Sequence, residues 1–499
     1  MQNRAIRLLE VCSVLVVTLT ATAGRADADP LVLADHGATR YSIVIAKEAV
    51  AAEQYAAKEL AYFLKEMTGA EFPIIHDDAP ASEFEIVLGN TSRKSSDQIP
   101  ADLRTDNWEG FTLFREGAKL YIMGNIPRGT LYGVYDFLDV ELGVRFLAHK
   151  GNYVPRRPTL EVSVTSRGYG PPIERRTIWE GGLLGDATLR NRMNGISFQI
   201  LNEKMLGGVK MVGHPTHTYA AFVPHEKYFA EHPEYFAADK DGKRPASSQP
   251  CFSHPDVIER MTERVLAALK EYGPNSQIAM AQMDAGLCEC ERCEDLVRQD
   301  GRDPDGSGGE NWGAPMFLAI NHVAREVAKV RPDVTIATYA YAPSARPPLN
   351  IQMEPNVRIQ YATYNACQLH PFDSLSCPNN MKYTEDLRAW GEISTGMMYW
   401  YYGMGSYTDF FAPPLVLRMA GPHIRSLVAN NGKSFFIQGD PIIFAELVQY
   451  VFAKILWDPR LDTYEVINEF VDHYYGPAAG PVAEFLRLAD NELRRCGNH

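Results

Sequence analysis

Beyond its first thirty residues the 499-residue sequence has no charge-free apolar run of membrane-spanning length, no internal repeat and no low-complexity tract. It has no basic cluster either. Lys and Arg number 49 against 62 Asp and Glu, a formal charge of −13. A field of that sign repels phosphate backbones, so nucleic acid is excluded as a partner. Cysteine is sparse, 8 residues in all, and a chain this long builds its core without needing disulfides. What is present is a globular balance of 45% hydrophobic and 22% charged residues, which rules out a disordered or fibrous chain.

Residues 1–28 read as a secretory signal. Arg4 and Arg7 supply the positive start, Val11 to Leu19 a short apolar run, and Ala21-Thr22-Ala23 and Ala26-Asp27-Ala28 the small-residue cleavage patterns. The apolar run is too short for a permanent anchor. The expected protein is exported, to a periplasm or the medium, with no membrane insertion once the signal is removed. Loss of Cys12 leaves seven cysteines, an odd number that cannot all pair within one chain.

From Leu31 to Pro158, short strand patterns alternate with two helices. Tyr41–Ala46 reads as a strand, and Ala49–Met67 as a helix with Leu60, Phe63, Leu64 and Met67 on one face and Gly69 beyond its end. Glu85–Leu88 is a second strand, and Phe111–Phe114 with Lys119–Met123 form a hairpin. Pro127 opens a second helix whose Leu131, Val134, Leu138 and Leu142 share a face, until Gly143 stops it. This order predicts a small α+β domain over residues 31–165, with a Pro/Gly-rich link at 159–172. Eight strand patterns follow, at 177–179, 195–201, 246–251, 277–282, 335–339, 357–361, 396–401 and 434–437. Helical patterns lie at 255–272, 313–330, 382–391, 415–430 and 442–456. The fold class is therefore α/β: an α+β domain, a (β/α)8 barrel over 173–460 and a helical tail over 461–499.

In such a barrel chemistry gathers where strands end, on the loops that lead into the helices. Asp284, after the fourth strand and near Gly286, puts a carboxylate at the mouth; its alternative is a turn former. Glu180, after Trp179 on the first strand, is a second site carboxylate or a surface charge. Asp440, after the eighth strand, fits an N-cap before Pro441 as well as a site acid, and Gln438 offers a hydrogen-bonding amide. His214 and His217, placed after the second strand, lack the intervening Glu and the helical spacing of a zinc-protease motif. They read as a polar substrate-binding loop or a structural one. Alternation along Met398–Gly403 sets Trp400 and Tyr402 on one face and Tyr399 and Tyr401 on the other. A ring at the mouth either stacks on a sugar face or packs the barrel. Tyr341, Tyr364 and His370, which follow strands five and six, allow the same two readings.

Cys288-x-Cys290-x-x-Cys293 is the most unusual local pattern. Three thiolates so spaced can wrap a tetrahedral ion such as a structural zinc, with Cys251 or a histidine as fourth ligand. In an exported chain the alternatives are a disulfide between Cys251 and one of the three, or free thiols. Each arrangement braces the loop that holds Asp284, and no orienting base nearby in sequence supports a catalytic cysteine. The acidic, glycine-rich run Asp303–Glu310 does not meet the EF-hand spacing and reads as a mobile loop at the mouth. No cofactor is required for the chemistry these residues suggest.

Two stretches carry a family resemblance. Gly124-Asn125-Ile126-Pro127-Arg128-Gly129-Thr130-Leu131-Tyr132-Gly133-Val134-Tyr135-Asp136-Phe137-Leu138, followed by Leu142-Gly143-Val144-Arg145-Phe146, resembles the accessory domain before the barrel in α-glucuronidases and family 20 hexosaminidases. The barrel stretch resembles the DUF4838 proteins, which include family 163 endo-β-N-acetylglucosaminidases acting on N-glycans. The matching pieces are His232-Pro233-Glu234-Tyr235-Phe236, Asp284 with its cysteine cluster, Leu456-Trp457-Asp458-Pro459 and Tyr474-Tyr475-Gly476-Pro477-Ala478-Ala479.

The resemblance implies a retaining glycoside hydrolase. In its substrate-assisted form the sugar's N-acetyl oxygen attacks the anomeric carbon, one carboxylate steers the acetamide and another protonates the leaving oxygen. The adjacent Asp-Glu pair of family 20 is missing, because Ala285 follows Asp284. A second carboxylate then has to come from another loop, with Glu180 and Asp440 as candidates. Three functions are compatible with this reading: an exported hydrolase of complex glycans, an α-glucuronidase-type exo-hydrolase, or a barrel that binds glycans without cleaving them. The exo-hydrolase needs a partner for a uronate, and Arg346 is the one loop candidate.

Overall fold

The computed structural model describes residues 25–26, 29–148, 151–178, 186–196, 211–212, 216–245, 248–271, 273, 276–302, 312–363, 366–374, 376–402, 417–438 and 443–496. The secretory-signal reading lies almost wholly outside these residues, and the glycine-rich run at 303–310 lies entirely outside them. Among the described residues, no helix is long and apolar enough to cross a membrane.

The N-terminal layer is a seven-stranded mixed sheet covered by two helices. Ala51–Thr68 forms the first helix because Leu60, Phe63, Leu64 and Met67 recur at helical spacing and all four are buried. Gly69 ends it in the left-handed region, φ +79°, where its N–H reaches the Lys65 carbonyl at 2.7 Å. The hairpin Phe111–Glu116 with Lys119–Gly124 lies at the centre of the sheet. The segment read as a link holds two strands instead: Leu160–Val162 pairs with Leu31–Ala34, and Thr165–Tyr169 pairs antiparallel with Phe111–Glu116. Gly168 reads as punctuation in sequence but marks a close backbone approach, since a Cβ there would stand 1.9 Å from the Leu103 carbonyl oxygen.

Eight parallel strands then follow: Arg175–Ile178, Gly195–Ile196, Met211–Val212, Gln277–Ala279, Thr335–Ala340, Val357–Ala362, Met397–Tyr401 and Gly432–Ile437. From the third to the eighth each pairs with the next, the first pairs with the second, and the first also pairs with the eighth. This is the strand order of a (β/α)8 barrel, with no ladder between the second and third strands among the described residues. The expected third strand at 246–251 is corrected to Met211–Val212. Pro250 has no N–H to give a central ladder, and in the fold it makes only an isolated antiparallel bridge with Phe236. The His217 loop therefore follows the third strand, not the second.

Strand alternation sorts the barrel side chains. Tyr361, Tyr399, Tyr401, Phe435 and Ile437 join the core beneath the helices, while Ala281, Tyr339, Ala362 and Trp400 cluster on the other face, with Tyr341, Tyr402 and Phe436 packed against them. Helices Pro255–Ala268, Ala314–Val330, Pro378–Ile393, Ala420–Ala429 and Ala445–Trp457 cover the outside.

Buried charges join the two parts. The second N-terminal helix, Pro127–Asp136, runs on into a π-helical turn, Phe137–Glu141, that carries Asp139. Asp139 meets Lys454 at 2.9 Å, Arg192 at 2.8 Å and Arg145 at 3.1 Å. Burial pushes the Asp139 carboxyl up, and these three cations override it, holding it well below the usual range. Trp457, the last residue of a barrel helix, sits in the N-terminal core, and the Tyr169 hydroxyl donates to its carbonyl. The tail helices Thr463–Tyr474 and Ala479–Cys496 close the chain; Asp462 caps the first of them by accepting from the Tyr464 and Glu465 N–H groups.

Candidate active site

At the strand ends, Thr216, His217, Asp284, Tyr339, Tyr341, Ala362, Trp400, Tyr402 and Gln438 line one cavity of about 220 Å³. They come from loops after the third, fourth, fifth, seventh and eighth strands and from the strands themselves. A hollow smaller than the ~300–1,000 Å³ of drug-sized sites suits a single ring with polar substituents.

Hydrogen bonds from below hold its rim. Nδ1 of His217 lies 2.8 Å from the Gln282 carbonyl, which accepts its proton. That bond sets the tautomer and leaves Nε2 facing Oδ2 of Asp284 at 3.5 Å. At that distance the imidazole borders the carboxylate and limits the directions in which it can turn. The His217 backbone is in the left-handed region, φ +53°, a conformation that non-glycine residues hold only where their surroundings enforce it. Next to it, the Thr218 hydroxyl donates to the Ala279 carbonyl and accepts from the Ala281 N–H, both at 2.8 Å.

The loop after the fourth strand is clasped by Gln249, whose side chain accepts from the Met283 N–H at 3.0 Å and donates to the Met283 and Ala285 carbonyls at 2.7 and 3.2 Å. Both residues flank Asp284. Trp400 donates its indole N–H to Oε1 of Gln438 at 2.5 Å, which fixes the ring plane. Gln282 donates to the Tyr341 carbonyl at 2.9 Å. Burial, reinforced by Tyr402 and Asp284, pushes the Tyr339 phenol far above its ordinary value, so it serves as a donor and not as a base.

Of the residues singled out from sequence, Asp284, His217, Tyr341, Trp400, Tyr402 and Gln438 thus meet in one place. Glu180, His214, Tyr364 and Asp440 lie outside the described residues. His370 is not in the described lining: its Nδ1 is 3.3 Å from the Cys367 sulfur and its carbonyl faces Nε2 of His423 at 2.7 Å. Arg346 has its Nε 3.6 Å from Asp386 and is also absent from the described lining. Tyr339 escaped the sequence reading although the same alternation that pairs Trp400 with Tyr402 puts it on the face of Tyr341. Gln249 carried no signal, because its role depends on a contact 34 residues away.

Cys288, Cys290 and Cys293 converge with Cys251, and no disulfide joins any of the four. A larger hollow, about 420 Å³, is lined by tail residues such as Ile467, Ala483 and Leu486, and brings none of the candidate residues together.

The family model described as a domain of unknown function, DUF4838, matches residues 146–486, and that of the glycosyl hydrolase family 67 N-terminus matches residues 33–137. No curated protein sequence matches the chain. Among solved structures it is similar to BtGH115A, a family GH115 4-O-methyl-α-glucuronidase with specificity for decorated arabinogalactans, at 13% identity and TM-score 0.55. That match covers 92% of this chain and 62% of the enzyme, so the chain spans less than two thirds of its length. It is also similar to CpGH84D, at 12% identity and TM-score 0.50 over 94% of this chain and 73% of that one. A third is a mutant Streptomyces plicatus β-hexosaminidase in complex with its product GlcNAc, at 12% identity and TM-score 0.48 over 92% of this chain and 94% of that one. The first two likenesses show a shared fold. The DUF4838 match spans well over half of the sequence, and the chain belongs to that family.

Proposed function

We propose that the protein is an exported glycoside hydrolase acting on complex glycans, an endo-β-N-acetylglucosaminidase in which the substrate's own acetamide assists. The observation that carries this is the convergence of Asp284 and His217 with the rings of Tyr339, Tyr341, Trp400 and Tyr402 around one ring-sized cavity at the strand ends. Aromatic walls suit the apolar faces of a sugar, and the polar groups suit its hydroxyls and amide. In this reading Asp284 accepts from the acetamide N–H and turns its oxygen toward the anomeric carbon, with His217 orienting the carboxylate. The leaving oxygen takes its proton from a second carboxylic acid, Glu180 or Asp440.

A uronate-cleaving site is less well supported, since no Arg or Lys stands among the described lining residues. A glycan-binding barrel without catalysis is the second reading, favoured by Asp284 being the one carboxylate among them. The test is a panel of N-glycans and uronoxylan offered to the wild type and to Asp284→Asn. Cleavage of N-glycans, lost in the variant, supports the hydrolase. Binding without cleavage favours the second reading, and a variant equal to wild type removes Asp284 from the mechanism.

A further inference from the structure

We propose that Cys251, Cys288, Cys290 and Cys293 hold a structural zinc ion that braces the loop carrying Asp284. The four sulfurs all lie within 4.8 Å of one another. Cys251 Sγ stands 3.6 Å from Cys288, 3.7 Å from Cys290 and 3.9 Å from Cys293. Four sulfurs at the usual zinc–sulfur length of about 2.3 Å occupy tetrahedron corners about 3.8 Å apart. A disulfide would draw one pair to about 2.05 Å and leave the others unmatched. Three near-equal distances from Cys251, with all four sulfurs within 4.8 Å, match the spacing of a tetrathiolate, and soft sulfur donors select zinc over the hard cations.

The surroundings suit negatively charged sulfur. The Ala238 N–H donates to Cys288 Sγ at 3.3 Å. Cys290 is the N-cap of the helix Glu291–Gln299 and Cys293 lies in its first turn, where the helix presents unpaired N–H groups. The Arg244 guanidinium lies beside Cys288, Cys251 and Cys290, opposing the net negative charge of a zinc tetrathiolate. Three of the four thiols are buried.

The ion would tie three pieces of chain together: the segment that ends in Cys251, the loop from Gln282 to Cys290, and the helix after it. Gln249, two residues before Cys251, clasps Met283 and Ala285, so the same bracket reaches the backbone on both sides of Asp284. Zinc acts here at a distance from the cavity, as a positioning element.

The test reads metal and thiols, so it stands whether or not the barrel cleaves a glycan. The full chain, purified without chelator, is assayed for metal content and for alkylation of denatured thiols before and after reduction. The expected result is one zinc per chain, four cysteines that alkylate without prior reduction once the metal is chelated, and zinc content reduced about tenfold or more in Cys251→Ser and in Cys290→Ser. Cys367, His370 and Cys377 form a second group able to hold an ion. Should either variant fail to fold, the wild type is therefore alkylated before and after chelation and the labelled positions are mapped. Protection lost at Cys251, Cys288, Cys290 and Cys293 supports the assignment, and protection lost at Cys367 and Cys377 alone overturns it. A metal-free protein overturns the assignment, whether its four cysteines resist alkylation until reduced or alkylate freely. A different metal at one equivalent overturns it as well.

Discussion

Nε2 of His217 faces Oδ2 of Asp284 at 3.5 Å, while its Nδ1 is tied to the Gln282 carbonyl at 2.8 Å. The two side chains come from loops after the third and fourth strands and converge because those strands are neighbours in the barrel. Nothing local in the sequence pairs them.

If Asp284 steers the substrate's acetamide, Asp284→Asn lowers kcat on an N-glycan by about 10²–10⁴ while KM changes little. His217→Ala only misaligns the carboxylate, so its loss is smaller, about 10²-fold at most. Steady-state kinetics of the two variants and the double variant check this, and additive losses would mean the residues act separately.

Trp400→Phe keeps a ring at the mouth but removes the indole N–H that holds Gln438. The expected effect is a rise in KM equivalent to about 0.5–1.5 kcal/mol, with the thermal midpoint nearly unchanged. Isothermal titration with a non-cleaved glycan separates the binding effect from any change in chemistry.

Gln249→Ala removes three hydrogen bonds to the backbone around Asp284 from a fully buried site. We expect a loss of about 1–3 kcal/mol in urea unfolding, because the Met283 and Ala285 groups lose their partner. A fall in kcat larger than the fall in KM marks Gln249 as a positioning residue.

Acid weakens the fold in two steps. Burial, with the Arg418 charge adding to it, pushes the His423 imidazole down to about 3 against the opposing bond to the His370 carbonyl. The folded state therefore holds His423 neutral, and its contribution declines as pH falls from the ordinary histidine value, about 6.5, toward 3. Asp139, held low by Lys454, Arg192 and Arg145 despite its burial, contributes fully above about 3.9, and that contribution is lost below it. Urea midpoints measured from pH 8 to 3 should decline below about 6.5 and about twice as steeply below about 4, where both groups take up a proton on unfolding. At neutral pH, Asp139→Asn leaves three cations facing a neutral amide and costs about 3–5 kcal/mol.

Short-range patterns were legible. The helix over Ala51–Thr68 follows from its apolar spacing and the glycine that ends it, and the split of Trp400 and Tyr402 from Tyr399 and Tyr401 follows from strand alternation. The convergence of Cys251 with the later three cysteines was one of the arrangements the spacing allowed. The third barrel strand was not legible, because two residues, Met211–Val212, are too few to show a period, and of the span 246–251 the described residues 248–251 make only an isolated bridge at Pro250.

Sequence alone determined which residues are apolar, at what period they recur and which loops carry acids, rings and thiols, since those are properties of neighbours along the chain. Only the tertiary structure decided that His217 meets Asp284, that Gln249 holds the backbone on both sides of that acid and that Asp139 gathers three cations. Apart from Arg145, six positions from Asp139, those contacts join residues tens to hundreds of positions apart, and no local preference encodes them. They arise when the parallel strands line up side by side and the accessory sheet packs against a barrel helix.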